Sequence, residues 1–521
     1  MSVPWGVVAF ATVLAFGTAA GSGTRPGFRT RITQRGLDYA RDVGLDIVSK
    51  EIKQLKIPDV SAQSGGAKAK LYDIKFVKQP EPTASVVPLH ELGLRLAVAN
   101  INAELSAKYG ADIKMSFFKM KSTGTIRVVT ENMKLVLDTH IGRDNAGRPS
   151  LYKFFCKGSG VIRVTFKGGW SNLLNLGSKV FQSKIRSVII AQICTNTIKE
   201  IKRQIDLHVI PVRETVAEDY ELDFSMVRFP KFEPTHVELY SKGEINIKDR
   251  HIRMPFSPPE IPLFHQHNKK MAYVYVTDYL LNSGFMAAFK NQQLSGYVNE
   301  SLLPAQVKDF MKTTCPMSLC LGSLLPNIGK RYPGAASSIH IYATQSPTVH
   351  VRGASIGLAG WGVVNITVTD KDGKEQPVMS ATLSGTANFT VHVSNSRVFF
   401  NIVKLTPKVT VVKSAVDDNG LGAILEPVLK IASEGLLLPR LTDLGFEGIP
   451  LPKVKDLRFV DTEILPDKTE HVVIVGTDIR LEPYDPDAED EIKKTLEMFQ
   501  SLPKISMSSS PIFADVEGSS A

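Results

Sequence analysis

Long apolar runs are scarce in this chain. Beyond residue 23 no stretch approaches the ~20 apolar residues that a helix needs to cross a bilayer, so no helical span is expected. Cysteine is scarce as well, four in 521 residues, which leaves no paired CxxC array for zinc. No GxxxxGK[ST] loop and no HExxH pair occurs, so P-loop nucleotide chemistry and zinc-helix hydrolysis lack a foothold. Most pointed is the absence of one sign of charge: from Asn145 to Lys199 there is no Asp or Glu. The same stretch carries Arg148, Lys153, Lys157, Arg163, Lys167, Lys179, Lys184, Arg186 and Lys199.

This basic run sits in a lopsided molecule. Residues 24–228 hold 33 Lys and Arg against 20 Asp and Glu, whereas residues 229–521 hold 29 against 32. A basic half suits an anionic partner: nucleic acid, an anionic membrane or a phosphorylated lipid headgroup. The first 23 residues bear on that choice, because Val7 to Phe16 is an apolar run of signal-peptide length followed by the small residues Gly17 to Gly21. The expectation is a cleaved signal peptide (1–23) and a secreted, extracellular protein, which argues against nucleic acid. Sequons at Asn299, Asn365 and Asn388 fit export, and four cysteines in an exported chain read as two disulfides. If Cys156 and Cys194 are joined, a basic strand is stapled to a long helix. Cys315 and Cys320 are too close to staple distant elements, and Pro316 between them suggests a local turn.

The patterning repeats. A helical i, i+4 row over residues 32–57 contains Ala40, Gly44, Val48 and Ile52. Alternating segments follow, Leu71 to Val77, Leu92 to Leu105, Ile113 to Met120, Thr125 to Leu137 and Leu151 to Phe166, which read as antiparallel strands. A second winding row, Phe181, Ile185, Ile189, Ile193, Ile201 and Ile205, drifts by roughly 40° per step, so its helix should be wrapped by a twisted sheet. A proline-rich segment (229–262) divides the chain, and the plan then recurs: a row through Leu303, Val307, Met311, Cys315 and Leu319, strands from Ile339 to Val412, and a row through Leu421, Leu425 and Leu429. "THVELYSKGEINI" closes the first half and "EHVVIVGTDIRL" the second. The expected fold class is α+β: two strongly twisted antiparallel sheets, each with two long helices.

Catalysis has one formal foothold. Gly353, Ser355 and Gly357 spell GxSxG, but that motif requires a strand, an elbow and a helix, and "LAGWGVVNITVTD" continues as a strand. His265 and His267 form an HxH pair without a third ligand in register. A binding protein is therefore expected, not an enzyme, with no metal and no cofactor.

At this point the residues resemble the bactericidal/permeability-increasing protein and lipopolysaccharide-binding protein family, whose relatives include phospholipid and cholesteryl ester transfer proteins. The likeness runs from Pro26 to about Leu481 and is carried by "RITQRGLDYARDVG" with "LKIPDVS", the span from Cys156 to Cys194, "PFSPPEIP", "MAYVYVTDYLLNSG", "LLPNIGKRYPG" and "GIPLPKVKDLRF". The resemblance implies an elongated boomerang of two barrels joined by a central sheet, each barrel holding phospholipid in an apolar pocket, and a basic tip on the first that meets lipid A of bacterial lipopolysaccharide. It also implies that Cys156 and Cys194 are the family's disulfide pair. On that plan residues 24–228 form the basic barrel, 229–262 a linker with a central-sheet strand, 263–481 the second barrel and 482–521 an acidic tail. Placed on it, the tip is Lys68, Lys70, Lys108, Lys114, Lys119 and Lys121, interleaved with Tyr109, Phe117 and Phe118; Arg148, Lys153 and Lys157 are in reserve. The pocket residues are Ala40, Val48, Phe181, Ile185, Ile189, Leu421, Leu425 and Leu429. The tail carries an amphipathic stripe, Ile492, Leu496, Phe499 and Leu502, read as a lid. The expected function is secreted innate recognition of lipopolysaccharide at the bacterial outer membrane surface, by a monomer that also binds phospholipid. A lipid carrier moving lipid between particles is the alternative.

Overall fold

The computed structural model describes residues 25–54, 59–64, 67–78, 81–115, 118–169, 171–176, helical turns between 183 and 203, and then 212–217, 219–263, 268–302, 308–315, 320–370, 372–394, 397–414, 449–450, 457–466 and 468–481. Residues 1–23, read as a signal peptide, the acidic tail, Phe117, Phe181, Ile185, Ile189, Leu421, Leu425, Leu429, His265 and His267 lie outside the described residues.

The chain opens with β1 (Phe28–Thr33) and passes directly into α1 (Gln34–Gln54). The sequence pattern placed a helix start at Ile32; Phe28 to Thr33 is instead a strand whose two arginines face inward. Next come β2 (Val60–Ser64), β3 (Ala67–Lys78), β4 (Thr83–Leu89), β5 (Gly93–Ile101), β6 (Glu104–Met115), β7 (Phe118–Arg143) and β8 (Pro149–Lys167). They form one antiparallel sheet in the order β2-β3-β6-β7-β5-β4, with β8 along β7. α2 (Ser171–Leu176) follows, and residues 193–199 are helical. The inner face of this sheet forms a core of Leu71, Leu105, Tyr109, Ile126, Val128, Ile162, Val164 and Phe166, onto which Ile190, Ile193 and Cys194 pack. Gly158 lets the helix approach: a Cβ there would lie 2.7 Å from the Ile190 side chain.

The second half has the same plan. β9 (Arg213–Ala217), β10 (Tyr220–Asp223), β11 (Lys231–Glu233), β12 (His236–Ser241), β13 (Glu244–Ile247) and β14 (Ala272–Thr277) lead into α3 (Tyr279–Lys290). β15 (Ser295–Asn299), β16 (Ala336–Ala343), β17 (Thr348–Arg352), β18 (Ser355–Thr369), β19 (Glu375–Ser394), β20 (Arg397–Ser414) and β21 (Ile449–Pro450) make a second antiparallel sheet. The chain returns through β22 (Leu457–Ile464) and β23 (Val472–Leu481). Where the row from Leu303 to Leu319 predicts one long helix, the described residues show 3-10 turns at Glu300–Leu302 and Lys308–Met311. Pro304 and Pro316 remove helical donors there.

A central sheet joins the halves, in the order β11-β12-β1-β14-β23-β22. It is pseudo-twofold symmetric. The Thr33 amide donates to Met271 O (3.0 Å) and the Thr277 amide to Gly27 O (3.1 Å). The amide just after each strand, at Gln34 and Asp278, then donates to the carbonyls of Thr235 and His471. The α+β architecture of two twisted antiparallel sheets about a central sheet is thus what the chain forms. Among the described residues the end strands of each large sheet are not hydrogen-bonded to each other.

One face of the central sheet buries charge. Arg31 Nε and Nη2 donate to Glu238 Oε1 (3.1 and 2.8 Å), and Tyr240 donates to Glu238 Oε2 (2.6 Å). The Arg29 guanidinium lies 4.3 Å from the Tyr275 ring centre and donates to Pro262 O (2.8 Å). Burial pushes the Glu238 carboxyl up, but the Tyr240 hydrogen bond and the Arg29 and Arg31 charges outweigh it and hold the carboxyl below its usual range.

Two expectations follow from these contacts. Glu238→Ala should destabilise the chain by roughly 3–5 kcal/mol in chemical denaturation, because it strands two buried guanidiniums. Since the folded carboxyl titrates below its unfolded value of ~4.3, the stabilisation is fully present above that pH and is lost as pH falls through the folded value. Glu238→Gln should therefore flatten the acid limb of the stability profile, and an unchanged acid limb contradicts this account. Separately, replacing Cys156 and Cys194, which are joined across 38 residues with Cα atoms 5.9 Å apart, by serine should cost roughly 3–4 kcal/mol in the chain-entropy view. Urea unfolding of the double variant measures it.

Candidate functional site

The candidate site is the outer face of the hairpin ends of the first sheet. Strand alternation sends Ala69 and Leu71 inward and Lys68 and Lys70 outward on β3, and it sends Ala107, Tyr109 and Ala111 inward and Lys108, Asp112 and Lys114 outward on β6. Register sets these side chains in rows. Lys68 of β3 stands opposite Asp112 of β6, which stands opposite Lys121 of β7. Nearer the turn, Lys114 faces Lys119. Directly opposed residues have Cβ atoms about 5 Å apart, so these four lysines share one patch around a single carboxylate. A further row runs from Tyr72 through Lys108 and Thr125 to Lys167 of β8.

The six tip lysines are all exposed, yet they are not equivalent. Lys70 Nζ lies 2.8 Å from Asp59, whose hydrogen bond holds the ammonium above its ordinary range. Lys108 Nζ lies 3.1 Å from Asp73, and Lys75 lies 2.9 Å from the same carboxylate. Their hydrogen bonds hold the Asp73 carboxyl below its usual range. Among the described residues no acidic group forms an ion pair with Lys68, Lys114, Lys119 or Lys121. These four present the less neutralised charge.

Behind the lysines the sheet is dry. Tyr109, expected among the tip's surface aromatics, is wholly buried. Its hydroxyl donates to Gly168 O (3.0 Å), lies 3.2 Å from Ser122 Oγ, and its ring meets Phe166 edge-on with centroids 5.0 Å apart. Tyr109 is buried because it occupies the inward phase of β6, beside the outward Lys108. Its role is to pin β6, β7 and the end of β8 together beneath the patch.

The reserve cations divide. Arg148 is spent on its own loop: Asp144 accepts from the Arg148 amide and from its Nε, each at 2.8 Å. Lys153 and Lys157 are exposed on the outer face of β8, with Lys153 lying 4.8 Å from the Phe155 ring centre. Arg163 is paired with Glu131 at 2.9 Å. The part of the acid-free run on β8 therefore presents an outward basic face that continues the tip surface through Lys167, a contribution visible only in the register. Of the pocket residues in the described region, Ala40 is exposed and Val48 lies on α1. Two small polar clefts, of about 180 and 120 Å³, are lined by residues such as Arg213, Glu221 and His251, and by Glu300, Lys312 and Thr314. Neither has the size or lining of an acyl-chain site.

Elsewhere, Cys315 pairs with Cys320. Asn388 is exposed, and Asn299 and Asn365 are half-buried, Asn299 accepting from the Ser301 amide at 3.1 Å. Ser355 closes the Arg352–Ser355 hairpin turn, with Gly353 at φ +55°, and starts β18. The GxSxG element is strand, turn, strand, with no nucleophile elbow. Sequence reading passed over one cluster entirely: Asp278, His350 and His471 come from three separate elements and converge.

Comparison with known proteins agrees with this architecture. The N-terminal domain model of the LBP / BPI / CETP family matches residues 36–204, and its C-terminal domain model matches residues 214–481. The chain is 23% identical over 468 residues to a bactericidal permeability-increasing protein of Sebastes schlegelii, covering 87% of this chain and 95% of that protein. It is 22% identical over 383 residues to the lipopolysaccharide-binding protein of Homo sapiens, covering 72% and 77%. The crystal structure of lipopolysaccharide binding protein superposes with a TM-score of 0.52 at 20% identity, over 88% of this chain and 99% of that one, a likeness of fold. With both domain models matched in order across most of its length, the chain belongs to the LBP / BPI / CETP family, a family of lipid-binding and transfer proteins rather than enzymes.

Proposed function

We propose that this protein binds the phosphorylated lipid A headgroup of bacterial lipopolysaccharide through the outer face of its first sheet. One observation carries the reading: Lys68, Lys114, Lys119 and Lys121 stand exposed in adjacent rows on three strands, with Asp112 the one carboxylate set among them by register. Lipid A offers phosphates spaced on a rigid sugar unit, and exposed ammonium groups held on a packed sheet meet them as point charges. Lys167 and Lys157 extend the same face for the surrounding anionic surface. The names of the relatives, one lipopolysaccharide-binding and one bactericidal, support the same chemistry.

The proposal has further parts. The protein acts outside the cell as a monomer at the bacterial outer membrane surface, and it holds phospholipid in apolar pockets lined by α1 and by the winding helical rows. Phospholipid should be recovered on organic extraction of the purified protein. Recovery of none would leave headgroup recognition standing without the pockets.

Each lysine near an anionic lipid surface contributes about 1 kcal/mol. Lys68→Gln, Lys114→Gln and Lys121→Gln together should therefore weaken lipopolysaccharide binding by roughly two orders of magnitude. The loss should shrink as salt is added, because exposed charges are screened. Lys70→Gln with Lys108→Gln should cost less, since Asp59 and Asp73 already offset those charges. Surface plasmon resonance on immobilised lipopolysaccharide measures both. Equal losses in the two sets, or binding indifferent to salt, would place the contact elsewhere.

A further inference from the structure

We propose that Asp278, His350 and His471 form a binding site for a divalent transition-metal ion of the zinc type, where the second sheet meets the central sheet. Their ligand atoms all lie within 4.8 Å of one another. Each comes from a different element: Asp278 from the residue before α3, His350 from β17, and His471 from the residue before β23. Two imidazoles and one carboxylate make a donor set that favours first-row ions over calcium or magnesium, which take oxygen ligands. Asp278 is buried and His350 is exposed, so the site has an anchored floor and an open side for a water or an external ligand.

The ligands are placed by backbone contacts independent of any ion. The His471 amide donates to Val351 O at 2.7 Å, and the Asp278 amide donates to His471 O at 3.1 Å. Asn282, one turn into α3, clamps β17 by accepting from the Val349 amide at 2.7 Å and donating to its carbonyl at 2.9 Å, which fixes the strand beside His350. His471 itself sits at φ +64°, a conformation that costs a non-glycine residue energy and is found where local geometry is constrained. Arg352 and Glu470, near His350 and His471 in the sequence, pair with each other at 3.0 Å.

His471 Nδ1 and Asp278 Oδ2 lie 2.6 Å apart, and the His350 and His471 rings have centroids 5.8 Å apart. Tetrahedral zinc with bonds of about 2.0–2.2 Å needs ligand atoms roughly 3.3 Å from each other. An ion held there would open the first contact by a fraction of an ångström and draw His350 inward, with the His471 proton carried on Nε2. The duplication of the halves does not impose such a site. At the matching position of the first half Gln34 replaces Asp278, and its amide nitrogen donates to Asp38 Oδ1 (3.2 Å) and Val86 O (2.8 Å). Among the described residues the cluster occurs in the second half and not the first, and an ion there would tie α3, β17 and β23 into one joint.

Equilibrium dialysis of the full chain against Zn²⁺, with metal quantified per chain, tests this. The expected result is one ion per chain. His350→Ala, at an exposed strand position, and His471→Asn, which tolerates positive φ, should each weaken that binding at least tenfold, with near-ultraviolet circular dichroism confirming the fold. Replacing both His265 and His267 by alanine should leave the ion in place. If the unaltered chain takes up no zinc, or His350→Ala retains full stoichiometry and affinity, or the ion is lost with His265 and His267 instead, the site is not the one named here.

Discussion

The constraint on which the rest of the structure depends is the burial of two arginines and one glutamate in the central sheet. Arg29 and Arg31 on β1 are almost inaccessible, as is Glu238 on β12. Removing such charges from water costs several kcal/mol each unless partners replace the lost hydration. The partners come from all along the chain: Glu238 and Tyr240 from the end of the first half, Tyr275 from the start of the second, and Pro262 O from the segment between them. The charges are satisfied only when β12, β1 and β14 lie side by side. That requirement sets the register of the join and thereby the placement of α1 and α3, which begin where β1 and β14 end.

The same logic, with the sign of burial reversed, builds the tip. Because successive residues of a strand face opposite ways, each outward lysine of β3 and β6 has an inward neighbour in the core. Tyr109 is the hinge of this coupling, fully buried between Lys108 and Gly110 and bonded to the end of β8. A surface of flexible ammonium groups is thus carried on a rigid sheet. Charge is available without a collapsing loop, and the paired aspartates at Lys70 and Lys108 grade it along the face.

Much of this was legible in the residues. Period-two alternation from Leu151 to Phe166 marked β8, and the segments from Ala67 to Lys78 and from Phe118 to Arg143 were seen in part, because one face of each strand meets a core and the other meets water. β1 was not, since arginines at alternate positions of a buried strand look like the polar face of an exposed element until Glu238 is known to stand opposite. The helix read from Leu303 to Leu319 is not what the described part of that row forms: apolar spacing fits a helix, yet Lys308–Met311 is a 3-10 turn. Tyr109 was misplaced because spacing near lysines says nothing of phase.

Sequence by itself determined the class of the protein. The acid-free basic run, the two recurring patterns divided by prolines and the family motifs follow from local composition and period, which survive without three-dimensional information. Only the tertiary structure decided which charges are available and which groups meet. Whether a lysine is free or offset depends on cross-strand register, as with Lys114 and Lys70. The convergence of Asp278, His350 and His471 likewise depends on the central sheet closing over segments far apart in the chain. Pairing across strands is a non-local property, set by hydrogen-bond register and burial rather than by neighbours in sequence.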